Sequence, residues 1–152
     1  MLVAGCGGGG GPKVQAVRGQ GYAFDAPAGW HVTRKGQELQ ASSGTDLLSV
    51  TRYALLRRFR PALWQKVVTE LDRAADGVAR QQHGTVGVRR TMTIAGLQAR
   101  SYDVAYERDG QALVERIAFV LRGKAEYLLL CRYERGGDTR ACAGLVATFK
   151  LT

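Results

Sequence analysis

Residues 97–121 read LQARSYDVAYERDGQALVERIAFVL. Two alternating segments, Leu97 to Arg108 and Gln111 to Leu121, flank Asp109-Gly110. An Asp-Gly pair tolerates the positive φ angles of a two-residue type I′ turn, so this placement predicts a tight antiparallel hairpin. The turn fixes the register. Arg108 faces Gln111, Tyr106 faces Leu113 and Tyr102 faces Ile117. Asp103 then faces Arg116, an opposite-charge cross-strand pair that favours the same alignment.

Working outward, Arg122-Gly123-Lys124 predicts a turn into a strand over Ala125 to Arg132. Its run Tyr127-Leu128-Leu129-Leu130-Cys131 is apolar without alternation, as expected of a strand covered on both faces. Gly136-Gly137 breaks the pattern, and Asp138 or Thr139 caps a helix to about Thr148, with Ala141, Leu145, Val146 and Phe149 apolar. Upstream, Val86 to Ile94 reads as a strand closed by Ala95-Gly96. Pro61 to about Gln82 carries helical spacing in Trp64, Val67, Val68, Leu71, Ala74, Ala75 and Val78. Its narrow apolar stripe fits packing on a sheet. Four short strands come first: Gly21 to Asp25, Trp30 to Arg34 (Trp30 and Val32 inward), Glu38 to Ser42, and Leu47 to Leu55. The order ββββ-α-ββββ-α predicts an α+β domain, a central antiparallel sheet flanked by two helices.

The 152 residues and 45% hydrophobic content suit one domain. No apolar run in the body approaches the ~20 residues of a membrane-spanning helix. The net charge of +9 suits an anionic partner: lipid headgroups, a cell-wall polymer or nucleic acid. The same excess follows from the Arg-rich, Asn-free composition of a GC-rich genome, and the basic residues are spread along the chain. The densest cluster is Arg57-Arg58-Phe59-Arg60, between the fourth strand and the long helix, and Arg57, Arg58 and Arg60 form a candidate contact for an anionic surface. Arg89-Arg90 adds to that field if the fold brings it close. Only Phe59 interleaves the cations, which argues against a base-stacking nucleic-acid site.

The N-terminus reads Val3-Ala4-Gly5-Cys6, followed by glycines 7–11 and Pro12. These four residues resemble a bacterial lipobox: small residues that fit a signal peptidase, then a cysteine whose thiol takes diacylglycerol. Residues 1–5 are then the remnant of a signal peptide, 6–20 a lipidated cysteine and flexible Gly-rich linker, and 21–152 a single folded domain. Multiple acyl chains on Cys6 anchor durably where one does not. A signal peptide also has a basic segment and a longer apolar one. Both are missing here, so the reading expects a start codon placed too far downstream or a trimmed chain. Gly5-Cys6-Gly7-Gly8-Gly9-Gly10 satisfies a dinucleotide-binding string, but no strand precedes it and no helix follows, so it is set aside.

With Cys6 lipidated, Cys131 and Cys142 remain as a pair. They form a disulfide in an exported protein, or two buried thiols. With two histidines and no C-x-x-C pair, no metal site is expected.

The element order, together with Tyr22-Ala23-Phe24-Asp25-Ala26-Pro27-Ala28-Gly29-Trp30, resembles the PsbP-like superfamily. Its members include photosystem II extrinsic proteins and many bacterial envelope lipoproteins. Actinobacterial lipoproteins of this type are similar at the C-terminal end, with a cysteine in the last long strand and another in the last helix, which implies a Cys131–Cys142 bridge. The resemblance implies binding and assembly roles with no shared catalytic site and no cofactor.

Chemistry is sparse. Ser42, Ser43, Ser49 and Ser101 lie in no nucleophile elbow, His31 is expected to face solvent, and His83 follows a helix end. The expectation is a non-enzymatic binding or assembly module of the cell envelope. It is lipid-anchored on the extracytoplasmic face, with a protein partner and no nucleic acid. The alternatives are a carrier holding a lipid or other apolar ligand between sheet and helix, and a cryptic hydrolase. The first predicts a filled core and an exposed apolar or basic patch, the second a deep apolar cavity, the third a perturbed titratable group in a cleft.

Overall fold

The computed structural model describes residues 10–152. The lipobox and Cys6 lie outside the described residues. The chain runs β1 (Val14–Gly19), β2 (Tyr22–Pro27), β3 (His31–Lys35), β4 (Glu38–Ser43), β5 (Asp46–Ala54), a 3-10 turn (Pro61–Leu63), α1 (Trp64–Gln81), β6 (Thr85–Ile94), β7 (Leu97–Arg108), β8 (Gln111–Arg122), β9 (Ala125–Glu134), α2 (Arg140–Thr148) and β10 (Lys150–Leu151). The strands form two sheets, a seven-stranded one ordered β3-β4-β5-β9-β8-β7-β6 and a three-stranded one ordered β1-β2-β10. The α+β class stands, but the single sheet and the simple ββββ-α-ββββ-α order do not.

The difference lies at the chain ends. The stretch expected to be linker contains β1, so the folded body begins at Val14 rather than Gly21. Its composition disguised it. Val17 is 3% exposed opposite Phe24, while Val14 and Arg18 lie on the solvated side of an edge strand. Gln15 fastens the strand, its side-chain amide donating to the Pro27 and Trp30 carbonyls at 3.1 and 2.8 Å. At the other terminus Phe149 caps α2 from a buried position. Lys150 and Leu151 then pair with Ala23 and Tyr22.

The hairpin register holds at each expected pair: Arg108 with Gln111, Tyr106 with Leu113, Asp103 with Arg116, and Tyr102 with Ile117. Asp109 and Gly110 both adopt positive φ, 50° and 77°. Arg116 grips Asp103 through two hydrogen bonds of 2.7 and 3.0 Å.

Strand β9 explains its unbroken apolar run. Tyr127, Leu129, Cys131 and Tyr133 enter a core shared with β2, α2 and Phe149. Leu128 and Leu130 face the opposite way, into a second core under α1. There Trp64, Leu71 and Ala75 of the helix meet Tyr102, Ile117, Phe119 and Leu121 of the sheet. The large sheet is thus covered on both faces, by α1 on one and by the small sheet with α2 on the other. Ala74, expected in the apolar stripe of α1, is exposed.

Strand β3 departs from expectation. It begins at His31, and Val32, expected to point inward, is 39% exposed. As the edge of the large sheet, β3 has no layer above it, so alternation in sequence finds nothing to pack against. Trp30 is partly buried against the core, after a tight turn in which Gly29 takes φ 86°.

Candidate binding site

Strand β5 runs from Asp46 at one end of the large sheet to Ala54 at the other. Each end carries a distinct surface feature.

Beyond Ala54 the chain does not turn freely. The Leu55 N–H donates to the Lys124 carbonyl at 2.9 Å, and the Phe59 N–H donates to the Gly123 carbonyl at 2.8 Å. These two bonds fasten residues 55–59 onto the β8–β9 turn. Leu55 and Phe59 pack on the core beneath α1, and Phe59 meets Trp64 edge-on with ring centroids 6.4 Å apart. With both neighbours anchored inward, the segment between them is displayed outward. Leu56 is 100% exposed, and Tyr53 and Leu63, flanking the loop, are 47% and 45% exposed.

The cations gather around this leucine. Arg57, Arg58 and Arg60 are exposed, as are Arg122 and Lys124 across the two hydrogen bonds. Arg58 reaches over the turn, its guanidinium 3.4 Å from where a Gly123 Cβ would stand. Among the described residues none of these five forms an ion pair. No acidic residue occurs in residues 54–65 or 121–125. The first acid beyond them is Glu126, partly buried, and its burial pushes the carboxyl above its ordinary value. A fastened loop that pools positive charge around a bare leucine concentrates positive potential at this tip.

Arg57, Arg58 and Arg60 therefore lie together at one tip, as the sequence implied. Arg89 and Arg90 do not join them. They sit midway along β6, where Arg89 pairs with Asp76 at 2.6 Å and Arg90 with Asp103 at 3.4 Å. The sequence reading missed Leu56, Arg122 and Lys124. The two cations flanking Gly123 are visible in sequence, but only the pairing of β5 with β9 brings them to the loop.

The opposite, Asp46 end receives the N-terminal segment. Lys13 accepts a hydrogen bond from the Ala28 N–H at 3.0 Å as the chain enters β1. A cleft of about 340 Å³ opens there between β1, β2 and α2, with Pro12, Trp30 and Ala141 on its apolar side and Asp46, Asp138 and Arg140 on its polar side. Burial raises the Asp46 carboxyl, and the nearby carboxylates of Asp138 and Glu134 raise it further. Asp138 is held at about 2 by hydrogen bonds from the Arg140 guanidinium and the Arg140 N–H.

Cys131 and Cys142 form a disulfide with Cα atoms 5.5 Å apart, joining β9 to α2. His31 is exposed on the edge strand β3, and His83 is exposed beyond α1. Ser49 and Ser101 are buried within the sheet. Among the described residues no cluster of His, Cys, Asp and Glu could hold a metal ion.

No protein-family model matches this sequence, and neither does any curated protein. Solved structures do match. Cyanobacterial PsbP (CyanoP) from Synechocystis sp. PCC 6803 aligns at TM-score 0.64 and 12% identity, covering 99% of each chain. A protein from Bacteroides thetaiotaomicron VPI-5482 aligns at TM-score 0.64 and 10% identity over 87% of this chain, which spans only 45% of that protein. At such identities the likeness concerns the fold alone. The fold of this chain is PsbP-like.

Proposed function

We propose that this chain is a membrane-tethered lipoprotein of the cell envelope, acylated at Cys6, whose body serves as a non-enzymatic binding module. The observation that carries the reading is the tip at the Ala54 end. The sheet is packed on both faces, yet one loop presents a bare leucine ringed by unpaired cations. A concentration of exposed positive charge around an apolar side chain suits a binding role toward an anionic partner. The disulfide supports placement outside the cytoplasm, because such bonds persist in oxidising compartments.

A second reading, a ligand carrier, draws support from the cleft beside α2, whose volume lies in the range of small-ligand sites. Its charged side favours a ligand with polar groups over a bare acyl chain.

The test is fractionation of bacteria that express the chain behind an export signal ending at Gly5. The expected result is a membrane-bound protein whose Cys6 carries diacylglycerol by mass spectrometry, with Cys131 joined to Cys142. The Cys6→Ser variant should move to the soluble fraction once the membranes are washed at high salt, which strips electrostatic contacts and leaves an acyl anchor in place. Unchanged fractionation, or an unmodified Cys6 thiol, would overturn the tether.

A further inference from the structure

We propose that the Ala54 end docks on an anionic phospholipid bilayer, with Leu56 entering between the headgroups while Arg57, Arg58, Arg60, Arg122 and Lys124 engage the lipid phosphates. The proposal deepens the binding-module reading by naming the partner's chemistry. It stands apart from acylation. The tip lies at the end of the large sheet opposite the entry of the N-terminal segment, so an unacylated chain measures binding apart from the anchor and substitutions at the tip localise it.

Three observations choose the bilayer over other anionic partners. The first is the chemistry of the tip. Leu56 is fully exposed at its apex, and a bilayer offers that side chain an apolar interior directly beneath a layer of phosphates. A soluble polyanion satisfies the cations and gives the leucine nothing. The second is the orientation of Phe59. It is the aromatic residue among the loop's cations, and it is turned edge-on to Trp64, away from any base it might stack upon. Single-stranded nucleic acid is held by such stacking. The third is charge density. A protein interface centred on Leu56 would have to bury several like charges around it, whereas interface cores are depleted in charge. A headgroup layer instead supplies mobile counter-charges that arrange themselves around each cation. Rigidity helps further. The bonds from Leu55 to Lys124 and from Phe59 to Gly123 hold the loop in its presenting shape before contact, so little order is lost on docking.

The experiment is vesicle flotation of the full 152-residue chain carrying Cys6→Ser, which removes any acyl contribution. The vesicles are phosphatidylcholine alone or phosphatidylcholine with phosphatidylglycerol. Binding is expected to the second and not the first, weakening with salt. Each of Arg57→Gln, Arg58→Gln and Arg60→Gln should lower partitioning about fivefold. Leu56→Ser should lower it roughly tenfold. A Leu56→Trp chain, with the parent spectrum subtracted for Trp30 and Trp64, should shift its emission to the blue on anionic vesicles and not on soluble polyphosphate. All these side chains are exposed, and unchanged melting temperatures would verify folding. Equal binding to both vesicle types, or no binding at low salt, overturns the proposal. So does an Arg-dependent binding that Leu56→Ser leaves untouched, which would assign the tip to a soluble polyanion instead.

Discussion

Reducing the Cys131–Cys142 bond offers the sharpest test of how the C-terminal part of the fold is held. The bond closes a loop of sequence separation 11. Chain entropy withdrawn from the unfolded ensemble by such a loop comes to about 2.8 kcal/mol at 25 °C. Helix α2 is the element it ties to β9. The helix has nine residues and no side-chain bond at its Thr139 cap, a length that is marginal in isolation. In the folded state it is held by packing, through buried Cys142 and Leu145 and Phe149 set against Tyr22 and Tyr127, and by the Asp25 N–H donating to the Thr148 hydroxyl at 2.9 Å. Reduction leaves both sulfur atoms in the core, so it removes the link and little packing. The melting temperature should fall by roughly 6–12 °C, the shift that a loss near 3 kcal/mol gives a chain of this size. Near-ultraviolet circular dichroism at 25 °C should stay unchanged, because the effect lies in the unfolded state. The assay is calorimetry with and without reductant, alongside a Cys131→Ala, Cys142→Ala double variant whose loss should be larger by a cavity cost of about 1 kcal/mol. A shift under about 2 °C on reduction would refute the reasoning. So would a native spectrum that collapses at 25 °C, since the bond would then be holding native contacts rather than restricting unfolded ones.

Two further outcomes follow from buried polar contacts. Tyr106→Phe should lower the urea unfolding free energy by about 1–3 kcal/mol, because it strips a hydrogen bond of 2.8 Å from Glu115, only 4% exposed; an unchanged midpoint would mean that the carboxyl finds another donor. The Tyr106 hydroxyl keeps its proton throughout the neutral range, as burial and the bond to Glu115 push it up to about 12. Asp72 sets an acid limb. Burial pushes its carboxyl up, but hydrogen bonds from Tyr102 and Arg100 and the charges of Arg100 and Arg89 outweigh that effect and leave it below its ordinary value. A lowered folded value means stability present above the unfolded pKa, near 4, and lost as pH falls through the folded one. Asp72→Asn should therefore flatten the decline of melting temperature below about pH 4, and a decline of unchanged steepness would count against the assignment.

Features encoded by neighbours in sequence are legible from the chain alone. Asp109-Gly110 specified its own turn, and the turn carried the whole register of β7 against β8. Helix α1 announced itself by the spacing of Trp64, Leu71 and Ala75, since one face of one segment supplies the signal. The apolar run in β9 correctly implied cover on both faces without saying by what. Illegible were the elements whose partners lie far along the chain. Strand β1 is an edge strand whose outer side carries Val14, Ala16 and Arg18, and nothing in Val14–Gly19 tells that β2 will pair with it. Strand β10 is two residues long and exists only because α2 delivers it to Tyr22 and Ala23.

The candidate site divides along the same line. The sequence placed Arg57, Arg58 and Arg60 in one loop because they are adjacent, and there local reading stopped. What gathers further cations around the three arginines is the antiparallel pairing of Ala54 with Ala125, which sets Lys124 against Leu55 and Gly123 against Phe59. That pairing contributes two more cations, and it fixes the backbone so that Leu55 and Phe59 are used up by the core and Leu56 is not. In an unfastened loop Leu56 could fold back onto Trp64 and Leu121, as apolar side chains do when free to choose. Its full exposure is therefore a consequence of sheet topology, and replacing the loop's anchors should hide the leucine as surely as removing it.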